Sequence, residues 1–250
     1  NITPDHLDRH DGFDGYVAAK KNALLSVRVG GLACLGAGAP LDKMTTEVSS
    51  DITCLRLDIS SLDPAEKAVL SDIKNTALSG PHNTENIVAA FLVCQALGVE
   101  PEIICKAANS FTGLPHRMQP VVKSGTISFV NDSKATNAEA TARALDSFGS
   151  IWWCAGGIAK ESGISACLPH LACVRGAFLY GESAPDFARQ LTGLIPVNVT
   201  DTLDDAVRAA FSRAAADTTE TTQTILLSPA AASFDQFSSF EARGEAFCAL

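Results

Sequence analysis

The sequence predicts an α/β fold with a mainly parallel sheet. Three observations carry that prediction. Short apolar runs, TISFV, IWWCAGG, CVRGAFLYG, IPVNVT and TILLSPAAAS, recur through residues 126–233. Stretches with helical spacing, NAEATARALDSF, SAPDFARQL and TLDDAVRAAFSRAA, fall between them. Strands that alternate with helices in this way form a parallel sheet covered on both faces.

The earlier elements follow in chain order. Thr3 before Pro4 is a good N-cap ahead of a good first helical residue. Residues 13–27 place apolar side chains at helical spacing. Residues 29–40, VGGLACLGAGAP, are Gly-rich and apolar, and 41–79 read as short strands and loops. PHNTENIVAAFLVCQALG reads as a buried helix ended by Gly98. EPEIICKAANSF reads as a second helix, with Pro101 near its start. Residues 112–120, TGLPHRMQP, carry Gly113, Pro115 and Pro120 and form the best linker. The expected organisation is one domain over 1–113 and another over 114–250.

Composition bounds the function. The chain has 250 residues with 46% hydrophobic content, enough for one large domain or two smaller ones. A formal net charge of −9 argues against a general nucleic-acid binder, which needs clustered Lys and Arg. The eight cysteines form no C-x-x-C pair and mostly lie in apolar runs. They read as buried small hydrophobes in a reducing, cytoplasmic setting. No apolar run approaches the length of a membrane span, so no membrane partner is expected. NITPDHLDRH opens without a Met and reads as a start inside a domain.

Ligands of open α/β sheets gather beyond the carboxyl ends of the strands. Three such ends here are polar: ISFV runs into NDSKATN, IWWCAGG into IAKESG, and TILLSP into AAASFDQF. If those strands are neighbours, Lys134, Thr136, Lys160 and Ser233 share one crevice. Two cations and two hydroxyls suit a small carboxylate or phosphate. The plainer alternative is that Asp132, Ser133 and Asn137 cap the next helix; for one loop alone that reading is better, and three complementary strand ends favour a site.

The other motifs are weaker when taken singly. Arg117 in the linker can reach a phosphate, although a solvated surface arginine is the better local reading. Asn83 and Asn86 share a helix face and offer donor–acceptor amides suited to an adenine edge; helix capping fits equally well. His6 and His10 stand four apart with Asp5 and Asp8 nearby, a spacing for metal chelation on a helix that lacks a marked third ligand. An ordinary polar helix is the simpler account. Tyr16 and Lys20 share a helix face, where a lysine usually snorkels to solvent. GAGAP and GGIAKES mimic nucleotide loops but lack the required context or spacing.

In order, the segments NITPDHLDRH, YVAAK, LSGPHNTENIVAA, TGLPHR, NDSKATN, AGGIAK and LSPAAASFDQFSSFEARGEAF resemble the Mur ligases. The last three resemble the D-glutamate-adding branch. The resemblance covers nearly the whole chain and implies part of the central, ATP-binding domain followed by a Rossmann-like C-terminal domain. It also implies that the UDP-sugar-binding domain and the glycine-rich ATP loop are not in this sequence. The implied reaction is ATP-dependent joining of D-glutamate to UDP-N-acetylmuramoyl-L-alanine through an acyl phosphate, with Mg2+, by a monomer. The alternative is a non-catalytic fragment or paralogue that binds nucleotide or D-glutamate.

The resemblance implies roles by position. His6, with Asp5 beside it, would contact Mg2+. Lys20 would be a carbamylated metal ligand, a modification that needs an uncharged amine and so a lowered pKa. Asn83 and Asn86 would meet adenine. Arg117 and Asp132 would meet the nucleotide phosphates and ribose. Lys134, Thr136, Lys160, Ser233, Phe234 and Phe240 would form the D-glutamate pocket, the two phenylalanines through their backbones. Ile158 and Phe234 depart from the small or polar residue and the leucine common at those positions.

Overall fold

The computed structural model describes residues 2, 9–36, 41–42, 44, 50–57, 60, 62–75, 78, 81–160, 162–218 and 222–250. The chain divides into two compact units, Asn1–Phe111 and Thr112–Leu250.

In the first unit, α1 (Phe13–Leu25) precedes two short parallel strands, β1 (Leu32–Leu35) and β2 (Thr53–Arg56), in register from Leu32 opposite Thr53 to Leu35 opposite Arg56. A helix the spacing did not predict, α2 (Pro64–Ser71), starts with a capping box. Asp63 accepts from the Glu66 amide and Glu66 accepts from the Asp63 amide, both at 2.8 Å. The two predicted helices are α3 (Pro81–Ala96) and α4 (Pro101–Ser110). Gly98 adopts φ +82° just beyond α3, where a side chain would be strained. Leu24, Ala33, Leu41 and Met44 form one small core cluster, and Leu62, Val88 and Leu92 another.

Among its described residues the second unit holds six strands: β3 (Gln119–Ser124), β4 (Ile127–Asn131), β5 (Ile151–Gly156), β6 (Val174–Tyr180), β7 (Val197–Val199) and β8 (Gln223–Leu227). Their order is β3-β4-β8-β5-β6-β7. All neighbours are parallel except β3 and β4, which form an antiparallel edge pair. The helices are α5 (Ala138–Leu145), α6 (Ala184–Leu191), α7 (Leu203–Ala216) and α8 (Phe240–Ala249).

Of the linker 112–120, only Gln119 and Pro120 enter a strand, β3, and 112–118 lie in no helix or strand. Pro120 tolerates a strand at the sheet edge, where a missing N–H costs no central ladder bond. The proline-rich composition therefore hides a strand. His116, just before it, is buried.

Alternation along β5 assigns the layers. Trp153 and Ala155 pack with Leu145, Phe187 and Leu191 on the face covered by α5 and α6. Trp152 and Cys154 pack with Val207, Ala210 and Phe247 on the face covered by α7 and α8. Both indoles find acceptors: Trp152 Nε1 donates to Gln223 Oε1 at 2.6 Å and Trp153 Nε1 to the Ser228 carbonyl at 2.7 Å. None of the eight cysteines is in a disulfide. Burial pushes the Cys167 thiol up to about 12, as expected of an inert core thiol. No helix among the described residues is long and apolar enough to cross a membrane.

Candidate functional site

β4, β8 and β5 are consecutive parallel neighbours, so their carboxyl ends emerge side by side. The loops that follow are hydrogen-bonded into one rim. On one side the Ala230 amide donates to the Ala135 carbonyl at 3.0 Å. On the other, Ile158 and Ala232 exchange backbone bonds of 2.8 and 2.9 Å in an isolated antiparallel bridge. The Gly156 amide donates to the Pro229 carbonyl at 3.0 Å. Gly157, at φ +128°, leaves no room for a β-carbon, which would collide with the Ala232 carbonyl. The central loop is thus fixed on both flanks.

Within NDSKATN, the polar side chains divide between framework and rim. Asn131 is fully buried; its amide donates to the Gly244 carbonyl at 3.0 Å and lies 3.1 Å from His116 Nδ1. Asp132 is 7% exposed. Its carboxylate accepts from Ser228 Oγ at 2.9 Å and from the Met118 amide at 3.2 Å. Burial pushes its carboxyl up to about 7, against the opposing pull of Ser228, Met118 and the Arg117 charge. Ser133 Oγ donates to the Phe240 carbonyl at 2.8 Å. Asn137 accepts from the Ala140 amide at 2.8 Å and is the N-cap of α5. Of the three candidate caps, Asn137 alone caps, while Asp132 and Ser133 turn into the fold.

The remaining candidate residues lie along the rim. Lys134 and Thr136 are half-buried, and the Lys134 ammonium lies 3.9 Å from the Phe240 ring centroid. Lys160 is exposed on the loop after β5, where its carbonyl accepts from the Gly163 amide at 2.9 Å. Ser233 is 2% exposed, its carbonyl taking bonds from the Gln236 and Phe237 amides at 3.2 and 2.8 Å. Phe234 is 70% exposed. Arg117 is exposed at the start of the unit. The second unit thus places Lys134, Thr136, Lys160, Ser233 and Phe234 on the loops after β4, β5 and β8, sets Phe240 at the start of α8, and draws Asp132 inward.

Sequence reasoning missed Arg243. Its guanidinium is completely buried, without a carboxylate within ion-pair distance among the described residues. Nε donates to Ser133 Oγ at 2.9 Å and Nη2 to the Ser133 carbonyl at 2.9 Å. Nη1 donates to the Ala231 carbonyl at 3.0 Å and to the Gly156 carbonyl at 3.3 Å. One side chain on α8 therefore binds all three loops. Burial pushes its pKa down from the ordinary guanidinium value, while Tyr180 and Asp235 oppose that. The available signal was its spacing: Phe240, Arg243 and Phe247 share one helix face, so the arginine sits on an apolar stripe.

In the first unit, Asn83 is half-buried and Asn86 exposed, both in the first turn and a half of α3. Lys20 is exposed, with Nζ 5.2 Å from the Tyr16 ring centroid. His10 lies in a turn before α1 rather than on a helix, its ring 5.5 Å from that of Tyr16. Asp5, His6 and Asp8 lie outside the described residues, as do Thr3 and Pro4. Among the described residues no three His, Cys, Asp or Glu side chains converge as a metal site.

Residues 116–231 match the family described as Mur ligase, glutamate ligase domain. The matched stretch lies within the second unit, Thr112–Leu250. The chain is 40% identical, over an alignment 265 positions long, to the UDP-N-acetylmuramoylalanine–D-glutamate ligase of Rhodopseudomonas palustris strain HaA2, covering 99% of this chain and 57% of that protein. The ligase of the same name from Caulobacter sp. strain K31 is 39% identical, with 99% and 56% covered. The chain thus spans little more than half the length of these relatives.

Among solved structures, UDP-N-acetylmuramoylalanyl-D-glutamyl-2,6-diaminopimelate–D-alanyl-D-alanyl ligase from Acinetobacter baumannii aligns with TM-score 0.67 and 16% identity, covering 100% of this chain and 56% of that one. E. coli FolC in complex with ADP aligns with TM-score 0.64 and 16% identity, covering 98% and 59%. At these identities the likeness speaks for fold alone. It agrees with the α/β, mainly parallel architecture expected from the sequence.

Proposed function

We propose that this chain carries the D-glutamate-binding part, and a portion of the ATP-binding part, of a ligase that joins D-glutamate to UDP-N-acetylmuramoyl-L-alanine in peptidoglycan precursor synthesis. The observation that carries the proposal is the rim of three hydrogen-bonded strand ends bearing Lys134, Thr136, Lys160 and Ser233. Its support from relatedness is the 40% identity to a ligase of that name.

The chemistry suits the rim. D-glutamate brings two carboxylates and one amine. Lys134 and Lys160 supply one ammonium for each carboxylate, and Thr136 and Ser233 supply hydroxyl donors. The backbones at Phe234 and Phe240 complete the pocket. Binding both carboxylates leaves the amine free to point at an activated acyl group. Fixing nucleophile and electrophile together makes attack effectively unimolecular. In the reaction proposed, ATP converts the alanyl carboxylate to an acyl phosphate, the amine adds to its carbonyl, and the tetrahedral adduct expels phosphate.

Asn83 and Asn86 are assigned to adenine, and Arg117 to nucleotide phosphate. Asp132 is assigned to the ribose; Ser228 and Met118 take one acceptor site on each of its oxygens, and its remaining sites are largely buried. Mg2+ belongs to the same proposal, with His6 and a carbamylated Lys20 as its ligands. The described residues do not assemble a metal site on their own, and the roles given to Lys134, Thr136, Lys160 and Ser233 do not depend on one.

Titrating the chain with D-glutamate tests the pocket. Chemical-shift changes should centre on Lys134, Thr136, Lys160 and Ser233, and L-glutamate should bind more weakly. Equal responses to both enantiomers, or changes centred elsewhere, would count against the assignment.

A further inference from the structure

Lys134 has a fixed backbone and a long, flexible head. Its amide donates to the His116 carbonyl at 3.0 Å and its carbonyl accepts from the Thr136 amide at 2.8 Å. These bonds place the Cα but leave four rotatable bonds, whose freedom opposes holding an ammonium in one place. No carboxylate pairs with Lys134 among the described residues. Its head instead lies over the Phe240 ring, 3.9 Å from the centroid.

The ring is itself held. Phe240 opens α8, whose N-cap Ser239 accepts from the Ala242 amide at 3.2 Å. The Phe240 carbonyl accepts from Ser133 Oγ at 2.8 Å. The ring packs edge-on against His116, with centroids 6.1 Å apart and planes at 80°. His116 and Ser133 are both buried, and both flank Lys134 in the same network. The platform is therefore built on the framework that also sets the Lys134 backbone.

A carboxylate could hold this ammonium equally well, but it would neutralise the charge. An aromatic face attracts a cation through its quadrupole and adds no net charge. We propose that the Phe240 ring is a positioning residue that holds the Lys134 ammonium at the rim while leaving its charge available to an anionic ligand. This rests on the reading that Lys134 faces an anion. It goes beyond the pocket role given to Phe240, which used only its backbone. It requires an aromatic side chain at 240 and not merely an apolar one of similar volume.

A fluorination series separates the electrostatic role from packing. Replacing Phe240 with 4-fluoro-, 3,5-difluoro- and 3,4,5-trifluorophenylalanine keeps the shape nearly constant and weakens the ring quadrupole stepwise. In the 250-residue chain, the Lys134 ε-proton resonances report the geometry through the ring current. They should lie upfield in the unsubstituted chain and lose that shift in Phe240→Leu. D-glutamate titrations should then show Kd rising with each fluorine, by roughly two- to fivefold at three. Phe240→Trp should restore or tighten binding, and Phe240→Leu should weaken it. A flat Kd across the series would overturn the inference, as would an absent ring-current shift. If D-glutamate does not bind the unsubstituted chain, the D-glutamate reading fails by itself. The same series with orthophosphate then decides the role of Phe240: a graded Kd supports it, and no graded response overturns it.

Discussion

Arg243 and Ser133 are joined by two 2.9 Å bonds, from Nε to the serine hydroxyl and from Nη2 to the serine carbonyl. The third nitrogen reaches the carbonyls of Ala231 and Gly156. The last helix is thus the clamp of the candidate site. Arg243→Ala is expected to remove about 3 kcal/mol or more, because it empties a fully buried site and strands several acceptors. Urea denaturation of the chain measures this. Arg243→Lys keeps the charge but not the fork, and should recover only a minor part.

Asp132 predicts a pH dependence. Its carboxyl is pushed from an ordinary 3.8 up to about 7 by burial. A group whose folded value is raised favours folding most below the lower value, and that contribution is lost as pH rises through the higher one. The chain should therefore lose stability between about pH 4 and pH 7 by an amount on the order of a few kcal/mol from this group. Asp132→Asn should flatten that segment of the stability–pH curve. Equal slopes in the two proteins would remove Asp132 as the cause.

The second unit was legible because fully buried strands declare themselves as unbroken apolar runs. IWWCAG and QTILL became β5 and β8. Neighbouring strand ends could be inferred only conditionally, since strand order is not encoded locally; the order β4-β8-β5 supplies that condition. β3 was missed because an edge strand tolerates Pro120. α2 was missed because it buries none of its residues and so shows no strong apolar stripe. Arg243 was missed because charge suggests solvent, whereas its donors are consumed by loop carbonyls. Asp132 was legible as important, but its inward orientation depends on Ser228, nearly a hundred residues away in sequence. His6 lies outside the described residues, so its role stays a proposal.

Gly157 predicts a coupling between backbone and binding. Its φ of +128° and its approach to the Ala232 carbonyl both exclude a side chain. Gly157→Ala should break the Ile158–Ala232 bridge and cost about 2 kcal/mol or more. D-glutamate binding should weaken with it, because Lys160 stands on the same loop. A stable variant with unchanged affinity would show that the bridge does not set the loop.

Lys160 itself predicts a loss of affinity without a loss of fold. It is exposed, so Lys160→Ala should leave urea stability within about 0.5 kcal/mol. Removing a charge-assisted contact should raise the D-glutamate Kd about tenfold or more. Unchanged Kd would place the second carboxylate elsewhere.

The most direct test of the central claim is a chimera. This chain replaces the matching segment of the Rhodopseudomonas palustris ligase, and ADP release is measured with UDP-N-acetylmuramoyl-L-alanine and ATP. The 250-residue chain alone, whose sequence holds no G-x-x-x-x-G-K-[ST] loop, should give no release above background. The chimera should release ADP only when D-glutamate is added, with L-glutamate a poor substitute. A folded chimera that ignores D-glutamate, or responds equally to L-glutamate, would contradict the account.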